Sequence, residues 1–160
     1  FKIDEFKSFF TFYYSGFNIR STDFNACIGI EQIKKIHQIA KIRQKNFLRY
    51  KSNLKSFWFQ KSDLSILSSF GYATFVKNRL EVYKYLKSKK IQSRPLICGN
   101  IGQQPFIKKN IKTFFNLDNA KFVDKYGIYL PNHTNLSLQD IDFISKKFSN
   151  VAQPISFNER

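Results

Sequence analysis

Apolar residues along the chain recur in two periods, and these periods mark out its elements. Phe24, Cys27, Ile28, Ile33, Ile36, Ile39, Ala40, Phe47, Tyr50 and Leu54 fall largely three or four residues apart, the spacing of one helix face. Ser21 and Thr22 offer hydroxyl caps, and Asp23 puts an acid in the first turn. No Pro or Gly interrupts the run after Gly29. The pattern therefore predicts one helix from about Thr22 to Asn53, roughly 45 Å long at 1.5 Å per residue. A helix of that length links two bodies or crosses a subunit interface. Its apolar face places Cys27 in a core.

Residues 1–15 carry Phe1, Phe6, Phe9, Phe10, Phe12, Tyr13 and Tyr14 without a clean period. Such a segment is expected to pack against something outside the chain. Phe57 to Leu67 is irregular. Phe70 to Val76 is aromatic and β-branched and reads as a strand. Leu80, Tyr83 and Leu86 then take helical spacing up to Lys89. Ile91 to Ile97 reads as a second strand, which Pro95 places at an edge. Gly99-Asn100-Ile101-Gly102 is a turn. Leu117 to Tyr126 reads as a helix stopped by Gly127, and Gly127 to Leu130 as a strand ended by Pro131. Ser137 with Asp140 makes a near capping box for a last helix that buries Ile141, Ile144 and Phe148. The tail from Asn150 is polar. Helices and strands thus alternate after residue 70, giving an α/β layer.

Composition changes this picture little. The 160 residues suit one domain, or a small domain with part of another. An apolar fraction of 42% with 19 Phe excludes disorder. Two cysteines, Cys27 and Cys98, exclude a disulfide scaffold and point to a reducing, cytoplasmic setting. No apolar run reaches the roughly 18 residues of a membrane span. Phe1 to Glu5 is no signal peptide, and a chain without any Met reads as part of a longer protein. The net charge of +16 raises the question of nucleic acid. Only 6 of the 27 basic residues are Arg, beside 18 Ile and 13 Asn, which is the composition of an AT-rich coding sequence. Base readers favour the Arg fork. The acid-free stretch from Gln32 to Lys61 therefore reads first as a solvated helix face. A basic module for RNA or acidic surfaces is the alternative.

No Gly-x-Gly-x-x-Gly or phosphate-loop pattern is present. His37 and His133 share no metal-type spacing with the cysteines. His37 reads as a surface residue, and His133 as a member of a hydrogen-bonded turn. Two polar constellations remain. Gly16 to Asp23 sets Asn18, Arg20 and two hydroxyls before a helix N-terminus, which suits a phosphate or an ordinary capped entry. Ser93 to Pro105 sets Arg94, Asn100, Gln103 and Gln104 around flexible glycines, as a polar ligand loop would.

These segments also carry a resemblance. Gly16-Phe17-Asn18-Ile19-Arg20-Ser21-Thr22-Asp23, followed by Ala26 to Ile33, resembles the signature of the DegT/DnrJ/EryC1/StrS sugar aminotransferases. Ile91 to Pro95, Tyr129-Leu130-Pro131-Asn132-His133, Leu136 and Ile141 follow in the family's order, over residues 9 to 148. Arg94-Pro95-Leu96-Ile97-Cys98-Gly99-Asn100 resembles the loop of the branch that removes the C3 hydroxyl of 4-keto-6-deoxy sugars. Ser69-Phe70-Gly71-Tyr72 and Asp118-Asn119-Ala120-Lys121 resemble that branch too.

The resemblance implies a pyridoxal or pyridoxamine phosphate enzyme acting on a nucleotide-diphosphate sugar in deoxysugar or lipopolysaccharide biosynthesis, as a homodimer without membrane or nucleic acid. It implies the C-terminal small domain of fold-type I, entered by the long helix. Residues 1–21 would end a large cofactor domain, 22–53 connect, 54–150 form the small α/β domain and 151–160 a tail. Asn18 is implied to reach a partner subunit's cofactor phosphate. Arg20, Arg94, Gly99 and Asn100 are implied to face substrate. The Lys of an aminotransferase, or the His of a 3-dehydratase, matches no residue here, so both reactions stay open.

Overall fold

The structure, a computed structural model, describes residues 3–14, 16, 22–111 and 117–155. Seven helices are seen among them: α1 Glu5–Ser8, α2 Asp23–Ile33, α3 Ile36–Asn53, α4 Arg79–Ser88, α5 Pro105–Asn110, α6 Asp118–Tyr126 and α7 Leu138–Ser149. Three strands, β1 Gly71–Phe75, β2 Arg94–Pro95 and β3 Gly127–Pro131, form one sheet in the order β1-β3-β2. Both outer strands run antiparallel to β3, so β1 and β2 run parallel to each other. The unit β1-α4-β2 is thus a crossover with β3 inserted into it, a split βαβ arrangement. The short β2 lies at the edge, where Pro95 costs no interior ladder bond.

Side chains alternate across the sheet, and each face has its own core. Tyr72 and Val76 of the β1 segment, with Ile128 and Leu130 of β3, join Phe47, Tyr50, Leu54, Val82, Leu86, Ile141 and Phe148. Helices α3, α4 and α7 supply that layer. Tyr50 stacks on Tyr72 at 4.9 Å between ring centroids, and its hydroxyl donates to the Pro131 carbonyl at 2.9 Å. On the other face Phe75 meets Leu96, Phe122 and Ile155. Gly127 begins β3 because a Cβ there would stand 2.5 Å from the Val123 carbonyl oxygen and 2.6 Å from Leu96 Cδ1.

The predicted helix from Thr22 to Asn53 is divided. Lys34 and Lys35 stay in the right-handed helical region, but the Lys35 N–H bonds the Gln32 carbonyl, three residues back. This tightened turn separates α2 from α3. The two halves also differ in burial. Helix α3 buries Asn46, Phe47 and Tyr50, whereas α2 buries nothing. Cys27, expected in a core, is therefore exposed. The expected Ser137 cap is present as a complete capping box with Asp140. The aperiodic N-terminal aromatics pack in part within the chain: Phe6 is fully buried, with its ring 4.7 Å from that of Tyr83.

Candidate functional site

The chain between β2 and α5 carries the polar loop and is folded from within. Gly99 takes φ 65°, a region that favours glycine, and a Cβ there would collide with the Asp124 carboxylate. Asn100 is 3% exposed, and its Oδ1 accepts from the Gly102 N–H at 3.0 Å. It thereby caps the 3-10 turn Ile101–Gln103. Gln104 is buried as well. Its Oε1 accepts from the Phe12 N–H at 2.8 Å, and its Nε2 donates to the carbonyls of Phe10 at 2.7 Å and Cys98 at 3.2 Å. Gln104 therefore latches the N-terminal segment onto the loop. Of the four polar side chains in the loop reading, Asn100 and Gln104 are turned inward. Arg94 and Gln103 are exposed.

The candidate substrate residues fall into two neighbouring cavities. Gly99 and Asn100 line one of about 310 Å³, with Lys7, Arg79, Cys98, Gln103, Lys108 and Asp124. Arg94 lines another of about 200 Å³, with Phe70, Ser93, Tyr129, Asn132 and His133. The strip 93–99 is the wall between them: Ser93, Arg94 and Ile97 belong to one cavity, and Pro95, Cys98 and Gly99 to the other. Asn18 and Arg20 lie outside the described residues. Thr22 accepts from the Asn25 N–H at 3.4 Å, as a helix cap does.

Charge in the Gly99 cavity is mostly positive. Three cations, Lys7, Arg79 and Lys108, face one carboxylate, Asp124. Arg79 is nearly buried, and its guanidinium donates to the carbonyls of Asp124 and, at 3.3 Å, Gly127. Burial pushes its pKa down, against the raising influence of Asp124 and Asp4. Phosphate-bearing ligands suit such a setting. Lys7, Arg79, Lys108 and Asp124 had no local motif in the sequence, because four separate segments bring them together. Among the described residues no group of three or more His, Cys, Asp or Glu is placed to hold a metal. Likewise no helix there is long and apolar enough to cross a membrane.

Comparison with known proteins agrees with this architecture. A protein of Yersinia pseudotuberculosis named GDP-4-keto-6-deoxy-D-mannose 3-dehydratase is 31% identical over 145 residues, covering 82% of this chain and 36% of that protein. One of the same name from Escherichia coli O55:H7 is 28% identical over 150 residues, covering 88% of this chain and 39% of that protein. The chain thus spans well under half the length of these relatives. The solved E. coli GDP-4-keto-6-deoxy-D-mannose-3-dehydratase with bound hydrated PLP superposes with a TM-score of 0.67 at 26% identity, over 92% of this chain and 40% of that one. Helicobacter pylori PseC, an aminotransferase involved in the biosynthesis of pseudoaminic acid, shares the fold with a TM-score of 0.70 at 21% identity, over 84% of this chain and 38% of that one. The model of the DegT/DnrJ/EryC1/StrS aminotransferase family matches residues 2–149, and the chain belongs to that family.

Proposed function

We propose that this chain is the C-terminal part of a nucleotide-sugar 3-dehydratase that depends on pyridoxal or pyridoxamine phosphate and acts on a GDP-linked 4-keto-6-deoxy sugar in lipopolysaccharide or deoxysugar biosynthesis. The observation that carries the reading is the loop from Arg94 to Gln104. Its stretch from Arg94 to Asn100 resembles the loop of the dehydratase branch, and it lies beside a cation-rich cavity in a chain 28–31% identical to proteins of that name. The solved E. coli relative holds hydrated PLP, which supports the cofactor. A cytoplasmic location follows from the same reading.

The cofactor does not fit the described residues alone. Its ring nitrogen needs a carboxylate, and its reactive carbon needs a Lys or His in the same cavity. The Arg94 cavity holds His133 and no carboxylate. In the other cavity Asp124 is packed against Gly99. No reaction step is therefore assigned to these residues. Their proposed work is to hold substrate. Arg94 supplies an exposed bidentate donor for a phosphate. Gly99 keeps the loop backbone close to the ligand, and Asn100 sets that backbone by capping the turn after it. The catalytic Lys or His, and the residue facing the pyridine nitrogen, are proposed to lie outside these 160 residues. Asn18 is proposed to reach the cofactor phosphate of a second subunit, with Arg20 near the substrate.

The test is incubation of the full-length protein with GDP-4-keto-6-deoxymannose, PLP and glutamate. Loss of the C3 hydroxyl supports the dehydratase, whereas retention of that hydroxyl with a new C4 amine assigns the aminotransferase instead. Absence of either product, with PLP bound, would remove the nucleotide-sugar reading. The 160-residue chain by itself is expected to show no turnover.

A further inference from the structure

The seam between the N-terminal segment and the polar loop is closed by one buried side chain. Gln104 is 7% exposed. It stands at the N-cap position of α5, yet its side chain makes no cap bond to that helix. The carboxamide reaches instead to three backbone groups. Its Nε2 donates to the carbonyls of Phe10 at 2.7 Å and Cys98 at 3.2 Å, and its Oε1 accepts from the Phe12 N–H at 2.8 Å. Two residues further on, the Phe106 N–H donates to the Phe12 carbonyl at 3.2 Å. A carboxamide carries the donor and acceptor of a peptide group. Gln104 therefore pairs the Phe10 carbonyl and the Phe12 N–H as a neighbouring strand would.

What the carboxamide holds is the wall of the Gly99 cavity on both sides. On the loop side, the Cys98–Gly99 peptide is pinned at each end. Its carbonyl is taken by Gln104, and its N–H donates to the Leu96 carbonyl at 2.8 Å. The Asp124 carboxylate then stands where a Cβ of Gly99 would go. On the other side, Lys7, Phe10 and Thr11 of the N-terminal segment line the same cavity, so one of its three cations arrives with that segment. The segment has two further ties, both at α1. The Phe6 ring lies 5.1 Å from the Arg79 guanidinium carbon, and Lys87 pairs with Glu5 at 2.6 Å. The Lys87–Glu5 pair is exposed, and such pairs hold little. Gln104 alone joins the segment to the Cys98 carbonyl through one side chain.

We infer that Gln104 is a positioning residue for the substrate loop. Both N–H groups of its carboxamide are engaged by backbone carbonyls, so it acts through the loop and not through a substrate contact of its own. It fixes the Cys98–Gly99 peptide and brings the N-terminal wall, with Lys7, up to it. Glutamine suits this work. Glutamate has the same shape, but its carboxylate offers no donor and would face two carbonyls. Alanine would leave three backbone groups without their partner. Loss of the carboxamide therefore weakens substrate binding and spares the chemical step. The inference rests on the nucleotide-sugar reading and names a residue that sets the loop within it.

Two measurements on the full-length protein test it: steady-state kinetics with GDP-4-keto-6-deoxymannose, PLP and glutamate, and hydrogen exchange of the two segments. In the native protein the Phe12 amide is expected to exchange tenfold or more slowly than in an open chain. Gln104→Glu and Gln104→Ala should each speed exchange in residues 10–12 and 98–100 together. Whichever product forms, each should raise KM for the nucleotide sugar about five- to thirtyfold, with kcat within twofold and PLP affinity unchanged. Circular dichroism shows whether the variants fold, and loss of the fold in both makes Gln104 a stability residue and overturns the positioning role. A Phe12 amide that exchanges as an open chain does, variants whose KM stays within twofold, or a kcat that falls as far as kcat/KM overturns it as well. A native protein that turns over its nucleotide sugar while both variants keep its KM retains the functional reading and loses only the positioning role. A native protein with PLP bound that forms neither product removes the functional reading, and the positioning role with it; faster Phe12 exchange in Gln104→Ala would then leave the contact as packing alone.

Discussion

Gly99 shows how much a single residue can be asked to do in this chain. Its φ of 65° and the Asp124 carboxylate standing where a Cβ would go both exclude a side chain. Gly99→Ala is expected to lower unfolding stability by about 1–3 kcal/mol in urea titration. Asn100 and Gln104 teach a complementary point. Their amides resemble ligand groups in the sequence, yet Asn100 Oδ1 is taken by the Gly102 N–H two residues on, and Gln104 is consumed by the backbone of Phe10 and Phe12, which only folding brings near. Gln104→Ala should release the N-terminal latch, read as faster amide exchange at Phe12. Asp142 gives the expected pH response. Hydrogen bonds from Arg49, and then from Asn53, hold its carboxyl down at about 2, from an ordinary 3.8. A depressed folded-state value stabilises fully above the unfolded value and loses that contribution as pH falls through the folded one. The melting temperature of the native chain should exceed that of Asp142→Asn at pH 6, and the gap should close between about pH 4 and pH 2.

At the scale of elements, those with local signals were the legible ones. Helix α7 has its cap, its acid and its buried face written within a dozen residues, and all three are realised. Ser137→Ala removes the cap and should cost about 0.5–2 kcal/mol in chemical denaturation. Strand β3 was readable from its composition, and its central place follows from pairing with both other strands. Helices α1 and α5 are one to two turns long, too short for a periodic pattern to separate them from loop. The run from Thr22 to Asn53 has helical spacing throughout, but spacing reports helix and not burial. Its second half packs against α7. Its first half leaves Phe24, Ile28, Ile30 and Ile33 more than half exposed, and so Cys27 beside them is exposed too. A helix apolar on several sides is ordinarily enclosed.

For the whole molecule, that exposed helix bears on assembly. A homodimer is proposed, with α2 covered by a second copy, and sedimentation equilibrium of the 160-residue chain is expected to show self-association that Ile28→Glu with Ile33→Glu abolishes. A monomer at high concentration would remove the proposal. The acids that offset the basic excess are in part paired with it, as in Arg49 with Asp142 and Lys87 with Glu5. The sequence by itself determined the family, the order of most helices and strands and the position of the polar loop, because periodicity, caps and motifs act between residues a few places apart. Only the tertiary structure decided that Arg94 faces one cavity while Gly99 faces another. It alone turned Asn100 and Gln104 inward. Those outcomes depend on strand alternation and on contacts between segments 60 to 95 residues apart, distances over which a linear pattern carries no geometric information.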